Sequence, residues 1–286
     1  MTIAVSLKVA DGLVLAADSA ATVMNANGVE NVYNNANKVF NLRKGHPVGL
    51  ITWGLGGLSG CSISTLAKDL RIRFTRDDGD HRDWHLDGEN YTVEAVAEKV
   101  REFFYDEHYK PALDAYEPPD DEAGYPTLGL IVAGYSAGSQ FGETFLLEFT
   151  AEGCRGPERL EDPELPGLYA GGDPEIVWRV VNGYSPDLLD VLVDFGLDEN
   201  DVPGAAEYIN ERLHLPLINA AMPFQDAIDL AEWLVALAIG YSRFRPGAPT
   251  VGGPIETAAI SKHEGFKWVK RKHYFDARFN PEGLPR

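Results

Sequence analysis

Two β-sheets held between helical layers, an α+β architecture in a single domain, is the fold that the sequence predicts. Three observations carry it. The chain opens on strands, with Ile3, Val5, Leu7 and Val9 alternating with Thr2, Ala4, Ser6 and Lys8, the period-two pattern of a strand with two different faces. Helical patterns come next, then strands, then helices, then a last pair of strands, the order expected when elements sort into layers. No internal repeat divides the 286 residues, which are ample for one sizeable core.

Taken in order, the first run is separated by Asp11-Gly12 from a second apolar run, Leu13 to Ala17, so the pair reads as a β-hairpin. Its register decides where Asp18 points. A two-residue loop of Asp11 and Gly12 would set Val5 opposite Asp18, on the other face from Thr2. A three-residue loop, Ala10-Asp11-Gly12, closed by Gly12 in the left-handed region, would set Ala4 opposite Asp18 and bring Asp18 diagonally beside Thr2. The position of Gly12 favours the three-residue loop. Asn37-Lys38-Val39-Phe40-Asn41-Leu42 alternates again, with Lys38, Phe40 and Leu42 on one side. A fourth strand, Val48 to Trp53, runs into the glycine-rich turn Gly54-Leu55-Gly56-Gly57.

Beyond it, Ile63, Leu66, Ala67, Leu70 and Phe74 share one helical face, and Thr92 caps a helix carrying Val93, Val96, Ala97, Val100 and Phe103 or Phe104. Between them His81 and His85, four apart and flanked by Asp80 and Asp83, would suit a metal on a helix. The segment reads instead as a solvated loop, so the expectation is no metal and no cofactor. After the acidic break Glu117 to Glu122, strands fall at Thr127 to Tyr135 and Phe141 to Phe149. Helices follow Asp173-Pro174, near Ala205 to Leu215, and from Gln225 to Gly240. Strands at Ile255 to Ser261 and Phe266 to Val269 lead to the basic Lys270-Arg271-Lys272-His273, read as a solvated end.

Composition excludes several functions. The chain carries 44 acidic against 25 basic residues, a formal charge of −19, which disfavours nucleic acid and anionic membranes as partners. Two cysteines, Cys61 and Cys154, fit a reduced compartment without a disulfide framework. No apolar run reaches membrane-spanning length, and the start lacks a basic segment followed by an apolar one. A cytoplasmic protein is the expectation.

The chemistry sits at the start. Removal of Met1, which a small second residue permits, would leave Thr2 with its own α-amine beside its hydroxyl. An α-amine titrates at roughly 7.7–8.0 in model peptides, so part of it is neutral and able to take the hydroxyl proton. A buried Lys38 needs a carboxylate partner, and Asp18 is the candidate. A charged Lys38 near that amine would disfavour its protonation. Backbone N–H groups at the Gly54 turn would suit an oxyanion. Each piece also has an ordinary reading: Thr at position two is common, Asp18 would serve a turn, Lys38 an exposed strand, Gly54 a bend.

Together the pieces are identified with a family. The leading Thr2, the Asp11-to-Asp18 stretch, Lys38-Val39-Phe40 and a strand ending at Gly54 resemble the proteasome β subunit and its bacterial relatives among the N-terminal-nucleophile (Ntn) hydrolases. The resemblance names the fold, a four-layer αββα sandwich, and implies roles: nucleophile and amine base for Thr2, salt-bridge partner for Asp18, amine-tuning cation for Lys38, backbone oxyanion donor for Gly54. It places Ala36, Thr52 and Gly56 around a roomy, apolar substrate pocket. Three family side chains are missing. Gly171 stands where a Ser is expected, and Ala248-Pro249-Thr250-Val251-Gly252-Gly253 lacks an Asp and a Ser, leaving Asp173 or Thr250 as substitutes. Segments near 75–91, 110–125 and 184–222 read as insertions.

The implied activity is a threonine peptidase acting on peptide or protein substrates as a homo-oligomer of rings, its ATPase partner, if any, unidentified. A non-catalytic scaffold subunit and a small-molecule amidase of the same chemistry are the alternatives. If Met1 stays, the α-amine belongs to Met and Thr2 loses its base.

Overall fold

A computed structural model describes residues 2–25, 28–77, 79–117 and 124–272. The expectation for Met1, most of the acidic break and His273 therefore falls outside the described residues. The chain begins with the hairpin β1 (Ile3–Val9) and β2 (Gly12–Ala17), followed by a second hairpin, β3 (Ala21–Asn25) and β4 (Gly28–Tyr33). Then come β5 (Val39–Asn41), β6 (Val48–Gly54) and the short pair β7 (Gly57–Leu58) and β8 (Cys61–Ser62). Helix α1 (Ile63–Thr75) is capped by the Ser62 hydroxyl, which accepts from the Thr65 N–H. Helix α2 (Val93–Arg101), capped by Thr92, continues through wider π-helical turns over Glu102–Tyr109 into α3 (Lys110–Asp114).

The second half supplies β9 (Leu128–Gly134), β10 (Glu143–Thr150), β11 (Gly153–Arg159) and β12 (Gly167–Gly172). Helices α4 (Glu175–Asn182), α5 (Leu188–Asp194), α6 (Val202–Leu213) and α7 (Phe224–Phe244) follow, and β13 (Glu256–Ser261) and β14 (Gly265–Lys270) close the described chain. The result is a mixed α/β fold on antiparallel sheets. One five-stranded sheet runs β12-β1-β2-β13-β14 and the other β11-β10-β9-β6-β5.

Three apolar clusters follow from strand alternation. Leu50, Leu130 and Val132 meet Leu66, Leu70 and Val96 of α1 and α2. Ile3, Val5 and Leu7 meet Val177 of α4 and Ala231, Leu234 and Val235 of α7. The opposite faces of the two sheets meet through Leu13, Leu15, Ile51, Ile131 and Ile260. Every residue of β1 and β2 is buried, because both of their faces are covered.

The hairpin register corrects both expectations. Val9 faces Gly12 and Ala4 faces Ala17, so the loop is Ala10-Asp11 and Asp18 lies one residue beyond the ladder. Gly12 is not in the left-handed region. Its reason is space: a Cβ there would lie 2.4 Å from the Phe224 ring of α7. Turn chemistry read locally could not show a constraint imposed by a helix two hundred residues away.

Strands β3 and β4 escaped the sequence reading because Val23, Val29 and Tyr33 are exposed, leaving no buried face to enforce alternation. Strand β11 and helix α5 were missed for the same reason. Neither α5 nor α6, inside the 184–222 segment, buries a residue.

Trp53 shows how tightly the sheets close. It pairs with Gly129 across β6 and β9, where an added Cβ would lie 2.0 Å from its ring. Gly129→Ala is therefore expected to cost about 1–3 kcal/mol through overpacking. Urea unfolding of the variant would measure it, with wild-type stability as the contrary result.

Candidate active site

Thr2 precedes β1, buried, with its carbonyl accepting the Asp173 N–H at 2.7 Å. Its side chain lines a cavity of about 270 Å³ together with Lys38, Gly54, Ala36, Thr52 and Gly56. The remaining walls mix small residues such as Ala20 and Ala21 with the neutral polar Thr22, Asn35, Asn37, Ser62 and Ser64. Trp53, Leu55 and Ile63 add apolar surface, and Lys38 is the only charged residue among these walls. The pocket expected to be apolar is lined by more apolar than polar surface, with hydroxyl and amide groups set among it.

Asp18 lies behind this cavity, completely buried. Its Oδ1 accepts from the Ile3 N–H at 3.1 Å and from Lys38 Nζ at 2.6 Å. Its Oδ2 accepts from the N–H groups of Ala20 at 3.0 Å and Gly252 at 2.9 Å. Four donors from four parts of the chain thus converge on one carboxylate, which satisfies its desolvated charge. Because Asp18 is past the end of β2, ladder alternation no longer decides its direction; the donors do. Lys38 likewise precedes β5, and its carbonyl accepts the Thr52 N–H at 2.9 Å. Burial lowers the Lys38 pKa below the usual lysine value, and the Asp18 charge opposes that shift.

Gly54 ends β6 with φ at +88°, a left-handed backbone that glycine adopts without penalty. A Cβ there would meet the Thr127 carbonyl oxygen at 2.2 Å. The accessory candidates are less available. Gly171 pairs with Ala4 and lies under Trp53, a Cβ at that position falling 2.6 Å from the ring. Asp173 reaches Thr2 only through its backbone, its carboxylate being held by Arg245 at 2.9 Å. Thr250 is buried beside the segment that binds Asp18, and its hydroxyl has no hydrogen-bond partner among the described residues.

Sequence reasoning missed a second lysine. Lys272, expected on a solvated tail, has a buried side chain and lies 3.4 Å from the buried Glu256 carboxylate. It donates to Ser19 Oγ at 2.6 Å and to the Ala36 carbonyl. Its charge lowers the Lys38 pKa further, while Glu256 raises it. Two lysines and two carboxylates therefore balance in one buried cluster. The alternation of Phe266 and Trp268 was the available signal. A register shift between Thr257 and Ala258 breaks that period just before Lys270, so the face of Lys272 was not legible.

No family model matches the chain, and no curated protein matches it. Among solved structures, Anbu (ancestral beta-subunit) from Yersinia bercovieri is similar at 13% identity and a TM-score of 0.49, covering 95% of this chain and 88% of that one. A mutant of Anbu from Hyphomicrobium sp. strain MC1 is similar at 16% identity and a TM-score of 0.51, covering 98% and 91%. The second likeness shows the fold as proteasome-like. It also corrects the resemblance to the proteasome β subunit itself, because that neighbour is an Anbu protein, of a proteasome-like but distinct family. The residues that suggested the resemblance build only the opening hairpin and the Lys38–Asp18 pair. They carry too little of the chain to separate related families.

Asp18→Asn would leave the Lys38 ammonium without its counter-charge and replace an acceptor oxygen by an amide facing N–H donors. The expected loss is about 3–5 kcal/mol, measured by denaturant unfolding; a near-neutral change would contradict this account. Lys272→Met removes a cation and frees Glu256, and both changes push the Lys38 pKa upward. A titration of the Lys38 side-chain NMR signal should show that rise; no movement, or a fall, would count against the coupling.

Proposed function

We propose that this protein is an N-terminal threonine hydrolase that cleaves peptide bonds through Thr2 after removal of Met1. The observation that carries the reading is the buried Lys38–Asp18 ion pair, whose lysine lines the same cavity as Thr2. Thr2 Oγ1 would attack the substrate carbonyl carbon while its proton passes to the α-amine. The oxyanion would be stabilised by backbone N–H at Gly54. Collapse of the tetrahedral intermediate returns the proton to the leaving amine and leaves an ester on Thr2. Water, deprotonated by the same α-amine, then hydrolyses that ester. Lys38 acts by position and charge, keeping the amine neutral, and Asp18 anchors Lys38.

The cavity of about 270 Å³ suits one substrate side chain, and its walls favour a neutral one. Three apolar clusters, one on each outer sheet face and one between the sheets, support the finer description as a four-layer αββα sandwich in one domain. As the resemblance read in the sequence implies, the chain would work as a homo-oligomer in the cytoplasm, without a cofactor. Among the described residues, no helix is long and apolar enough to cross a membrane. A non-catalytic scaffold is the second reading, favoured by Gly171 lacking a side chain and by Asp173 being committed to Arg245.

Intact mass and an epoxyketone probe distinguish the two. The hydrolase reading expects a mature protein beginning at Thr2 and covalent labelling lost in Thr2→Ala. Retained Met1, or equal labelling of both proteins, would support the scaffold instead.

A further inference from the structure

Next to the candidate cavity lies a second hollow of about 300 Å³, with Asn37 lining both. Four cations surround it: Lys44 from the β5–β6 loop, Lys68 and Arg71 one turn apart on α1, and Arg271 just after β14. In a chain of charge −19, acids are abundant. Several basic side chains elsewhere use them: Arg73 is paired with Glu107, Arg159 with Glu143 and Arg245 with Asp173. Among the described residues, none of the four around the hollow has an acidic partner within 4.0 Å.

The two arginines are the braced side of an otherwise exposed arrangement. The Arg271 guanidinium lies over the Trp268 ring at 4.8 Å, and Trp268 is braced edge-on by Phe266. Arg71 is partly buried, and burial together with the Arg271 charge lowers its pKa, with no acid opposing. Glu256, the acid that reaches the hollow, is already paired with Lys272. Like charges gathered on aromatic walls repel one another until a counter-charge arrives.

We propose that this hollow is a binding site for a small, multiply charged oxyanion of pyrophosphate size, held by Arg71, Arg271, Lys68 and Lys44. Two arginines suit forked contacts to flanking oxygens, and two lysines add mobile point charges. A volume of about 300 Å³ matches a small ion. The site stands apart from the Thr2 chemistry and holds whether or not Thr2 is a nucleophile.

Isothermal titration of the full chain at low salt tests it, with inorganic pyrophosphate and citrate as separate probes. Saturable one-to-one binding is expected, weakened about tenfold or more in Arg71→Gln/Arg271→Gln and unchanged in Arg155→Gln, a surface cation elsewhere. Tighter pyrophosphate binding would assign the ligand to phosphates, and tighter citrate binding to polycarboxylates. Lys44→Gln/Lys68→Gln, on exposed side chains, repeats the test should the arginine variant not fold. No saturable binding by either probe, or binding equally strong in both double variants, would overturn the proposal.

Discussion

A single buried carboxylate holds the start of this chain in place. Asp18 accepts from the backbone of Ile3, Ala20 and Gly252 and from the Lys38 ammonium. Those donors come from the first strand, the turn after the second, the loop before β13 and the entry to β5. An ionised carboxylate away from water persists only when its lone pairs are filled, so the four contacts stand or fall together. The placement of Thr2 at one end of β1, and of Lys38 across from it, follows from this convergence.

The second buried pair, Lys272 with Glu256, extends the same logic. Burial and the Lys272 charge lower the proton affinity of Lys38, burial lowers that of Lys272, and Asp18 and Glu256 restore part of both. Lys272 also ties Ser19 and Ala36 together, and Ala36 is itself a wall of the Thr2 cavity. The shape of that cavity and the charge state behind it are consequently set by the same side chains. The four cations of the adjacent hollow lie outside this balance, and what sets them apart is that they face one hollow together.

Much of the architecture was legible. Strands whose two faces differ, and helices with one apolar stripe, announce themselves by period, as β1, α1, α2 and α7 do. Elements without a buried face, such as β3, β4 and α5, carried no such mark. Gly12 was read as a turn residue when its requirement is the ring of Phe224. Asp173 was read as a substitute for a missing family side chain, whereas its carboxylate is held by Arg245, about seventy residues on.

The sequence by itself determined the mixed pattern of strands and helices and the need of a buried Lys38 for an acid. These are properties of residue type and local period. Only the tertiary structure decided the hairpin register, the direction of Asp18 beyond the end of its strand and the burial of Lys272. Each depends on donors or walls contributed from far along the chain, and local pattern contains no information about partners that distant.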